Sequence, residues 1–373
     1  MNRVVTTDKE LSAIGAFLCA LTLGFYWVES IGFIMPTYEE FGSFSIVGLP
    51  FAASFIIAGL TAILVMRFAR EKGVKWLIIP MAIITGLVNV IHIELFRSVS
   101  SFLVLSVPIG GILAFIVSYT LQYQGSISAI FGLSFGILLF TVIEANVEQI
   151  VYLRISELLF IFIIIGSLLW ALGTKFTRLK GTTIPELGQS SFYLRPSYTQ
   201  LVYYIPSFFL GILIGSIFAV NDLVFLGIMM FAGNGIALIK PLKNDPRIIQ
   251  FLGLVIMGLA GLLAGVSNIP FSIENAIYGL GIGLLLSFIF GIYPRISYIL
   301  NPRLHWLLTA GCLLLLTIGM TTGRAVTLIS LFDNFSLETL VNLRMVTGGI
   351  CLLSGILPWV LLSKNTVSLK TLN

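Results

Sequence analysis

Long apolar runs recur along this chain, and they constrain its fold more than any other feature. A helix needs about 20 apolar residues to cross the hydrocarbon core of a bilayer. Twelve such runs can be read, at 11–36, 44–67, 75–96, 99–120, 126–147, 150–173, 199–220, 223–240, 248–268, 274–293, 304–324 and 338–362. They are continuous rather than short and alternating, which favours helices over barrel strands. The sequence therefore predicts an all-α polytopic membrane protein with 12 transmembrane helices.

The composition agrees with this interpretation. Of 373 residues, 58% are hydrophobic and only 10% are charged, whereas a water-soluble domain has about 25% charged residues. The three cysteines lie far apart in apolar runs, and the two histidines stand alone near the ends of runs. No disulfide framework or metal site is predicted from this spacing, and we expect no cofactor.

Basic residues are distributed unequally between the two sides that the twelve spans define. All but four of the 21 lysines and arginines fall on the side that holds both termini. The exceptions are Arg97, Arg154, Arg324 and Arg344. Cytoplasmic loops carry the excess of basic residues, so both termini are predicted to be cytoplasmic in a cell membrane. The same asymmetry accounts for the net charge of +5 without nucleic-acid binding.

The longest hydrophilic stretch lies between spans six and seven. It divides the chain into an N-terminal six-helix half at 1–173, a cytoplasmic linker at 174–198 and a C-terminal six-helix half at 199–373. No run outside the spans is long enough for a separate domain on either side. This organisation argues against a membrane-tethered enzyme with its own soluble domain.

The loops after spans two and eight share a basic pattern. They read AILVMRFAREKGVK and GIALIKPLKNDPR, and Arg67 and Arg70 in the first have the spacing of Lys240 and Lys243 in the second. Parallel repeats of six helices would produce such a pair of loops. One interpretation is that these charges only set topology. The other is that they also form cytoplasmic gate loops that hold the two halves together.

Two six-span halves joined by a basic linker resemble the major facilitator superfamily of secondary transporters. That family carries G-x-x-x-D-R-x-G-R-R after span two, and Arg67 and Arg70 match two of its basic positions. Met66 stands at the position of the family's aspartate, so a charge-paired latch cannot form there. The resemblance implies a central cavity between the halves, which alternating access would expose to each side in turn.

Polar residues within the spans are candidates for lining that cavity. We expect Tyr26, Asn89 and Asn234 to contribute to a substrate site, although anchoring at the membrane interface is the alternative. No basic residue lies deep within a predicted span. The sequence therefore favours a neutral, weakly cationic or hydrophobic substrate over a multiply charged anion.

Small residues recur at spacings that suit close helix packing. Gly132 and Gly136 form one G-x-x-x-G step, and Gly261 and Gly265 form another. Such steps bring membrane helices into close contact. They indicate either static packing or faces that slide when the halves move.

An acidic cluster is predicted at the outer ends of spans five and six. Glu144 and Glu148 are four residues apart, and Arg154 and Glu157 are three apart, so each pair shares a helix face. A solvated salt-bridge cluster is one interpretation. An outer gate or a vestibule that attracts cations is the other.

Glu29 is the only charged residue between Leu11 and Pro36. A charge near the bilayer centre costs about 2.5 to 3.5 kcal/mol on insertion scales and usually marks function. Protonation removes that cost, so Glu29 is a candidate for proton coupling. The stretch ESIGFIMP is similar to the acidic residue and following proline of many proton-coupled members of the family. Alternatively, span one ends early and Glu29 lies at the interface.

The sequence as a whole predicts a secondary transporter that uses protons to move a small organic molecule through the lipid bilayer. An enzyme acting on lipids or isoprenoids is an alternative, but clusters of the D-D-x-x-D type are missing. A sensor or assembly subunit without transport activity is another. No G-x-x-x-x-G-K-[ST] motif occurs, so ATP is not predicted to drive transport.

Overall fold

The computed structural model describes part of the chain, mostly in its C-terminal half. The described residues are 11, 13–22, 24, 60, 127–146, 158, 161–166, 168–169, 172, 196–216, 223–237, 239, 246–266, 270–293, 305–332 and 337–361.

The described segments are helical, and each lies on a predicted span. They are α1 (Ala13–Thr22), α2 (Ile127–Asn146), α3 (Pro196–Gly215), α4 (Leu223–Ala237), α5 (Pro246–Leu263), α6 (Phe271–Leu286), α7 (His305–Phe332) and α8 (Leu337–Leu361). A π-helical segment, Ser287–Ile292, continues α6. These helices occupy the predicted spans one, five and seven to twelve. The other four predicted spans lie largely outside the described residues.

One helix is longer than its predicted span. The predicted span ends at 324, but α7 continues to Phe332. The added residues AVTLISLF carry no charge and no proline, so nothing in them stops a helix. Arg324 is therefore a residue within α7 rather than at its end.

Two helical stretches among the described residues are long and apolar enough to cross a membrane, Ser272–Ile289 and Glu338–Leu357. Shorter apolar stretches lie at Ala13–Thr22, Tyr203–Gly215, Val224–Ala237 and Arg247–Leu263. Large apolar side chains on these helices face outward, including Leu353 and Val360 on α8. An outward apolar face is what a lipid solvent requires.

Glycines set the close packing of the C-terminal helices. A Cβ added at Gly319 of α7 would overlap the carbonyl oxygen of Phe208 on α3, and one at Gly283 of α6 would overlap that of Met230 on α4. Between α5 and α8, a Cβ at Gly261 would lie 2.7 Å from the Arg344 carbonyl oxygen. The three helix pairs α3–α7, α4–α6 and α5–α8 thus meet backbone against backbone, as small residues allow in membranes.

The predicted G-x-x-x-G steps lie at these contacts. Gly261 and Gly265 both face α8, where a Cβ on Gly265 would meet the Met345 sulfur. Gly132 of α2 lies against the Phe17 carbonyl of α1. The steps are packing sites in this structure.

The same glycine contacts occur in two places along the chain. In both the α1–α2 pair and the α3–α7 pair, a glycine of each partner lies against a carbonyl of the other, and Gly24 lies two residues beyond the end of α1. These contacts are Gly132 on Phe17 and Gly24 on Leu133, and Gly319 on Phe208 and Gly215 on Met320. Residues in equivalent roles have the same sequence spacing in both pairs. Spans one and five are therefore packed like spans seven and eleven.

The helices α2 and α4 join the N-terminal and C-terminal sets of spans. Gly227 of α4 lies against Leu138 of α2, with the Leu138 Cα 3.0 Å from the position of an added Cβ. The Phe131 and Phe231 rings pack beside it, with their centroids 4.9 Å apart. Spans five and eight are thus direct neighbours.

Candidate functional site

A chain of three polar side chains crosses the contact between α2 and α4. The Asn234 side-chain amide on α4 donates a hydrogen bond to the Ser134 hydroxyl on α2. The Ser287 hydroxyl donates to the Asn234 carbonyl oxygen at 2.8 Å. Asn234 and Ser134 are 0% exposed and Ser287 is 6% exposed. An amide so deeply buried needs such partners, because burying it without them costs several kcal/mol, roughly 2 to 7.

The π-helical segment begins at Ser287, one of these three residues. It covers Ser287–Ile292, and the backbone N–H of Tyr293 donates to the carbonyl of Phe288, five residues earlier. Residues five apart point about 140° away from each other on an α-helix. In a π-helical turn they are joined by the backbone hydrogen bond and lie on the same side of the helix. The segment therefore places Phe288 and Tyr293 on the same face.

That shared face packs on Tyr203 of α3. The Tyr203 ring centroid lies 5.8 Å from that of Phe288 and 4.2 Å from that of Tyr293. The Tyr293 hydroxyl donates to the Leu308 carbonyl of α7 at 3.4 Å. The Tyr203 hydroxyl is buried and has no hydrogen-bond partner among the described residues. Three aromatic rings, and a hydroxyl without a partner among the described residues, thus lie next to the hydrogen-bonded series of Ser134, Asn234 and Ser287.

The Ser207 hydroxyl and the Cys312 thiol lie next to this aromatic group. Ser207 Oγ lies 2.7 Å from Cys312 Sγ of α7, and the Ser207 hydroxyl also donates to the Tyr203 carbonyl at 2.7 Å. Both side chains are buried. These contacts fix α3 against α7 at the level of Tyr203.

A second cluster lies at the other end of α6 and is charged. Arg344 of α8 is 8% exposed, and its Nη1 lies 3.1 Å from Glu274 Oε1 of α6. Its Nη2 donates to the backbone carbonyl of Ser216, just after α3 ends. Terminal carbonyls of a helix lack partners within it, so Arg344 caps α3. Glu274 is in the first turn of α6, where a negative charge is favourable.

Two donors in this charged cluster have no acceptor. Neither the Arg344 Nε nor the Tyr278 hydroxyl has a hydrogen-bond partner among the described residues, and both are buried. Tyr278 is one helical turn after Glu274 on α6. The two clusters lie about 20 Å apart along that helix.

The structure describes the side chain of only one predicted cavity residue, Asn234. It is fully buried between helices and bonded to Ser134 and Ser287. Glu144 lies on α2. The other predicted site residues lie outside the described residues: Tyr26, Glu29, Arg67, Arg70, Asn89, Glu148, Arg154, Glu157, Lys240 and Lys243. Within the described part of the chain, no three His, Cys, Asp or Glu side chains could hold a metal ion.

Sequence reasoning missed the Glu274–Arg344 pair. The charge distribution places Arg344 on the outer side of the membrane and does not indicate that its side chain is buried. The available signal was that two opposite charges stand near the ends of spans ten and twelve that face the same side. The π segment gave no signal, because SFIFGI is as apolar as the helix before it.

Comparison with solved structures identifies the fold. The human organic anion transporter MFSD10 (TETRAN) superposes with a TM-score of 0.60 at 14% identity, over 95% of this chain and 99% of that one. The fucose:proton symporter FucP of E. coli superposes with a TM-score of 0.55 at 13% identity, over 95% of this chain and 98% of that one. No protein-family model matches the sequence, and no curated protein matches it significantly.

These two proteins are transporters, and the likeness covers nearly the whole chain. The chain therefore shares the all-α fold of these two transporters. The expected family resemblance is confirmed at the level of the fold.

Proposed function

We propose that this protein is a secondary active transporter that moves a small organic molecule by alternating access, coupled to protons. The observation that carries the proposal is the fold shared with two transporters over 95% of the chain. The coupling to protons draws support from FucP, which is a fucose:proton symporter. It also draws support from Glu29, a carboxylate in an otherwise uncharged run.

The proposed movement is a rocking of the N-terminal six-helix half against the C-terminal half. The contact between α2 and α4 would be one of the surfaces that rearrange. Among the described residues it is joined by neutral hydrogen bonds and aromatic contacts. Neutral contacts between membrane helices are weak, averaging about 0.6 kcal/mol for a hydrogen bond, so they can be exchanged during a transport cycle.

The proposed substrate is neutral, weakly cationic or hydrophobic. The aromatic rings of Tyr203, Phe288 and Tyr293 give apolar surface with polar groups beside it, as small-molecule sites commonly have. Arg344 is buried but binds Glu274 and the Ser216 carbonyl, so it is not a free anion-binding group. MFSD10 is an organic anion transporter, which makes an anionic probe a necessary test of this preference.

A binding screen followed by a transport assay tests the function. The purified protein is first screened by thermal unfolding against metabolites and drugs, with L-fucose and fluorescein included as neutral and anionic probes. A compound that binds the folded state raises its melting temperature by mass action. Binders are then tested for accumulation in proteoliposomes under an imposed pH gradient. Failure of every binder to accumulate, with or without a gradient, would overturn the proposal.

Glu29→Gln tests proton coupling separately. The amide removes the charge with little change in volume, so the variant should fold. We expect accumulation driven by the pH gradient to be lost, while exchange without a gradient survives. Glu338→Gln is the matched control, because Glu338 is an exposed carboxylate on α8. If Glu29→Gln accumulates substrate like the parent, the role of Glu29 in coupling is refuted.

Orientation is tested by cysteine labelling in intact cells. We propose that both termini and the linker at 174–198 are cytoplasmic in the cell membrane. Cysteines placed at Ser190 and Asn373 should react with a membrane-impermeant reagent only after the cells are opened. The native Cys19, Cys312 and Cys351 are buried, so they give little background. Labelling of either new cysteine from outside would contradict the twelve-span topology.

A further inference from the structure

The ion pair of Glu274 and Arg344 has a geometry that suits a group whose charge changes. We propose that Glu274 is a proton-binding residue and that Arg344 is its counter-ion, joining α3, α6 and α8 while Glu274 is charged. This role deepens the proposed function and rests on it where transport is concerned. Ionisable residues inside membrane spans are functional by default, because placing them there is costly.

The pair is incomplete, which distinguishes it from an ion pair built for stability. A single contact joins Arg344 Nη1 to Glu274 Oε1 at 3.1 Å. Arginine and carboxylate commonly form two parallel hydrogen bonds, and here the Nε is buried without an acceptor among the described residues. A buried pair offsets its desolvation only when its remaining donors are bonded. Arg344 therefore does not hold Glu274 in its charged form as tightly as a complete pair would.

Arg344 retains an acceptor when Glu274 becomes neutral. Its Nη2 donates to the Ser216 carbonyl at the end of α3, and that bond does not depend on the carboxylate. Protonation of Glu274 would weaken the connection between α6 and α8 and leave the one between α3 and α8. The arrangement thus allows Glu274 to change charge without leaving the guanidinium unbonded.

The described residues around Glu274 include few other groups that could take the proton. Among the described residues, the titratable or charged side chains that interact with it are Arg344 on α8 and Tyr278 on its own helix, and Cys351 of α8 interacts with Tyr278. The helix α3 and the helix α4 hold no charged residue, and the charged residue of α5, Arg247, lies at the opposite end of the bundle. The Glu274 side chain keeps 12% of its surface exposed, so the surrounding helices do not cover it completely.

A proton fits this site better than a metal cation. A carboxylate and the carbonyls at a helix C-terminus are the ligands that coordinate Na⁺ in transporters. Here the guanidinium of Arg344 binds both Glu274 and the Ser216 carbonyl. The Arg344 guanidinium thus occupies the position that a metal cation would take. A proton is therefore the species that can exchange at Glu274.

Infrared difference spectroscopy tests proton binding without a substrate. The purified protein is titrated across the physiological pH range, and the carbonyl stretch of protonated carboxyl groups is followed. We expect part of this signal to be absent from Glu274→Gln and fully present in Glu338→Gln. The double variant Glu274→Gln/Arg344→Gln removes both charges, so it supplies the same comparison if the single variant does not fold. A titration unchanged by either Glu274 variant would overturn the proposal.

Transport assays then separate this proposal from the proposed function. Loss of gradient-driven accumulation in both Glu29→Gln and Glu274→Gln, with exchange retained, supports a role for Glu274 in coupling. Loss in Glu29→Gln alone overturns that role and leaves the proposed function standing. If the parent transports none of the probes, the proposed function fails, and the infrared result decides the protonation of Glu274 by itself.

Discussion

The Arg344 cluster and the Asn234 cluster connect different parts of the molecule with different chemistry. Arg344 uses charge to join α3, α6 and α8, which all belong to the last six predicted spans. Asn234 uses neutral hydrogen bonds, and one of them reaches Ser134 among the first six spans. Breaking a buried ion pair by removing one partner costs about 3 to 5 kcal/mol, whereas a hydrogen bond between membrane helices averages about 0.6 kcal/mol.

The difference between the two clusters indicates where this fold can rearrange. The contact between the two sets of spans is held by bonds that thermal energy and a ligand can exchange. The contacts within the C-terminal set also include an ion pair, and glycines pack on backbone in three of its helix pairs. Four predictions test this division, beginning with the largest expected effect.

Gly283→Val should prevent the C-terminal helices from assembling. Its added side chain would overlap the Met230 carbonyl, and the backbone N of Asn234 would lie 3.1 Å from its Cβ. Backbone atoms on α4 cannot move aside as a side chain can. Size-exclusion chromatography should show loss of the monodisperse protein.

Gly349→Val is the matched control for that variant. A Cβ at Gly349 meets nothing within 4 Å, so this variant should elute like the parent. Equal elution of both valine variants would show that the close α4–α6 contact is not required.

Arg344→Gln should destabilise the protein by up to about 3 kcal/mol, at or below the cost for a fully buried pair, because it leaves the partly buried Glu274 carboxylate without its counter-ion. Glu274→Gln should have a smaller effect, since Arg344 keeps the Ser216 carbonyl. The double variant should be more stable than Arg344→Gln alone. Thermal unfolding in detergent measures all three, and strictly additive effects would refute the pairing.

Asn234→Leu should destabilise the protein by about 1 kcal/mol, the typical net value of a few neutral hydrogen bonds. The freed hydroxyls of Ser134 and Ser287 can bond to carbonyls of their own helices, which limits the loss. Ser134→Ala, which removes one bond, should cost less. If Asn234→Leu is as damaging as Arg344→Gln in the same thermal assay, the contact between the two sets of spans is not the weaker one.

Ser207→Ala should have the smallest effect, below about 0.5 kcal/mol. The hydroxyl donates to a carbonyl of its own helix, at Tyr203, and contacts the weakly polar Cys312 thiol. Removing the hydroxyl leaves neither partner without a hydrogen bond, because the Tyr203 carbonyl also accepts one from the Cys312 thiol at 3.8 Å. A loss comparable to that of Asn234→Leu would assign Ser207 a larger part in joining α3 to α7.

The sequence predicts the helices of this fold better than its contacts. Runs such as 126–147 are visible because lipid requires length and apolarity, and α2 follows that run closely. The glycine steps are visible for the same reason, since few residues allow helices so near. Asn234 is conspicuous as an amide in an apolar run, but its partners are not. Ser134 and Ser287 resemble many other serines, and only the packed structure brings them together.

The distribution of charged residues does not predict the burial of Arg344, for a different physical reason. The distribution of lysine and arginine reports the side of the membrane, and it does not report depth. Arg344 is therefore placed on the outer side by its sequence, while its burial depends on Glu274 and on the end of α3. Most other predicted site residues, Glu29 among them, stay predictions.

The π-helical segment has a mechanical consequence for the end of span ten. A π turn holds one residue more than an α turn, so the segment Ser287–Ile292 stores an extra residue in the helix. If that residue passed along the helix, everything between its old and new positions would turn by about 100° and advance by about 1.5 Å, as one step of a screw. Tyr293 would then leave the ring of Tyr203 while Ser287 kept its place beside Asn234. The part of the span near Tyr293 would thus rotate while the part near Ser287 stayed in place. The backbone hydrogen bonds would re-form within the helix.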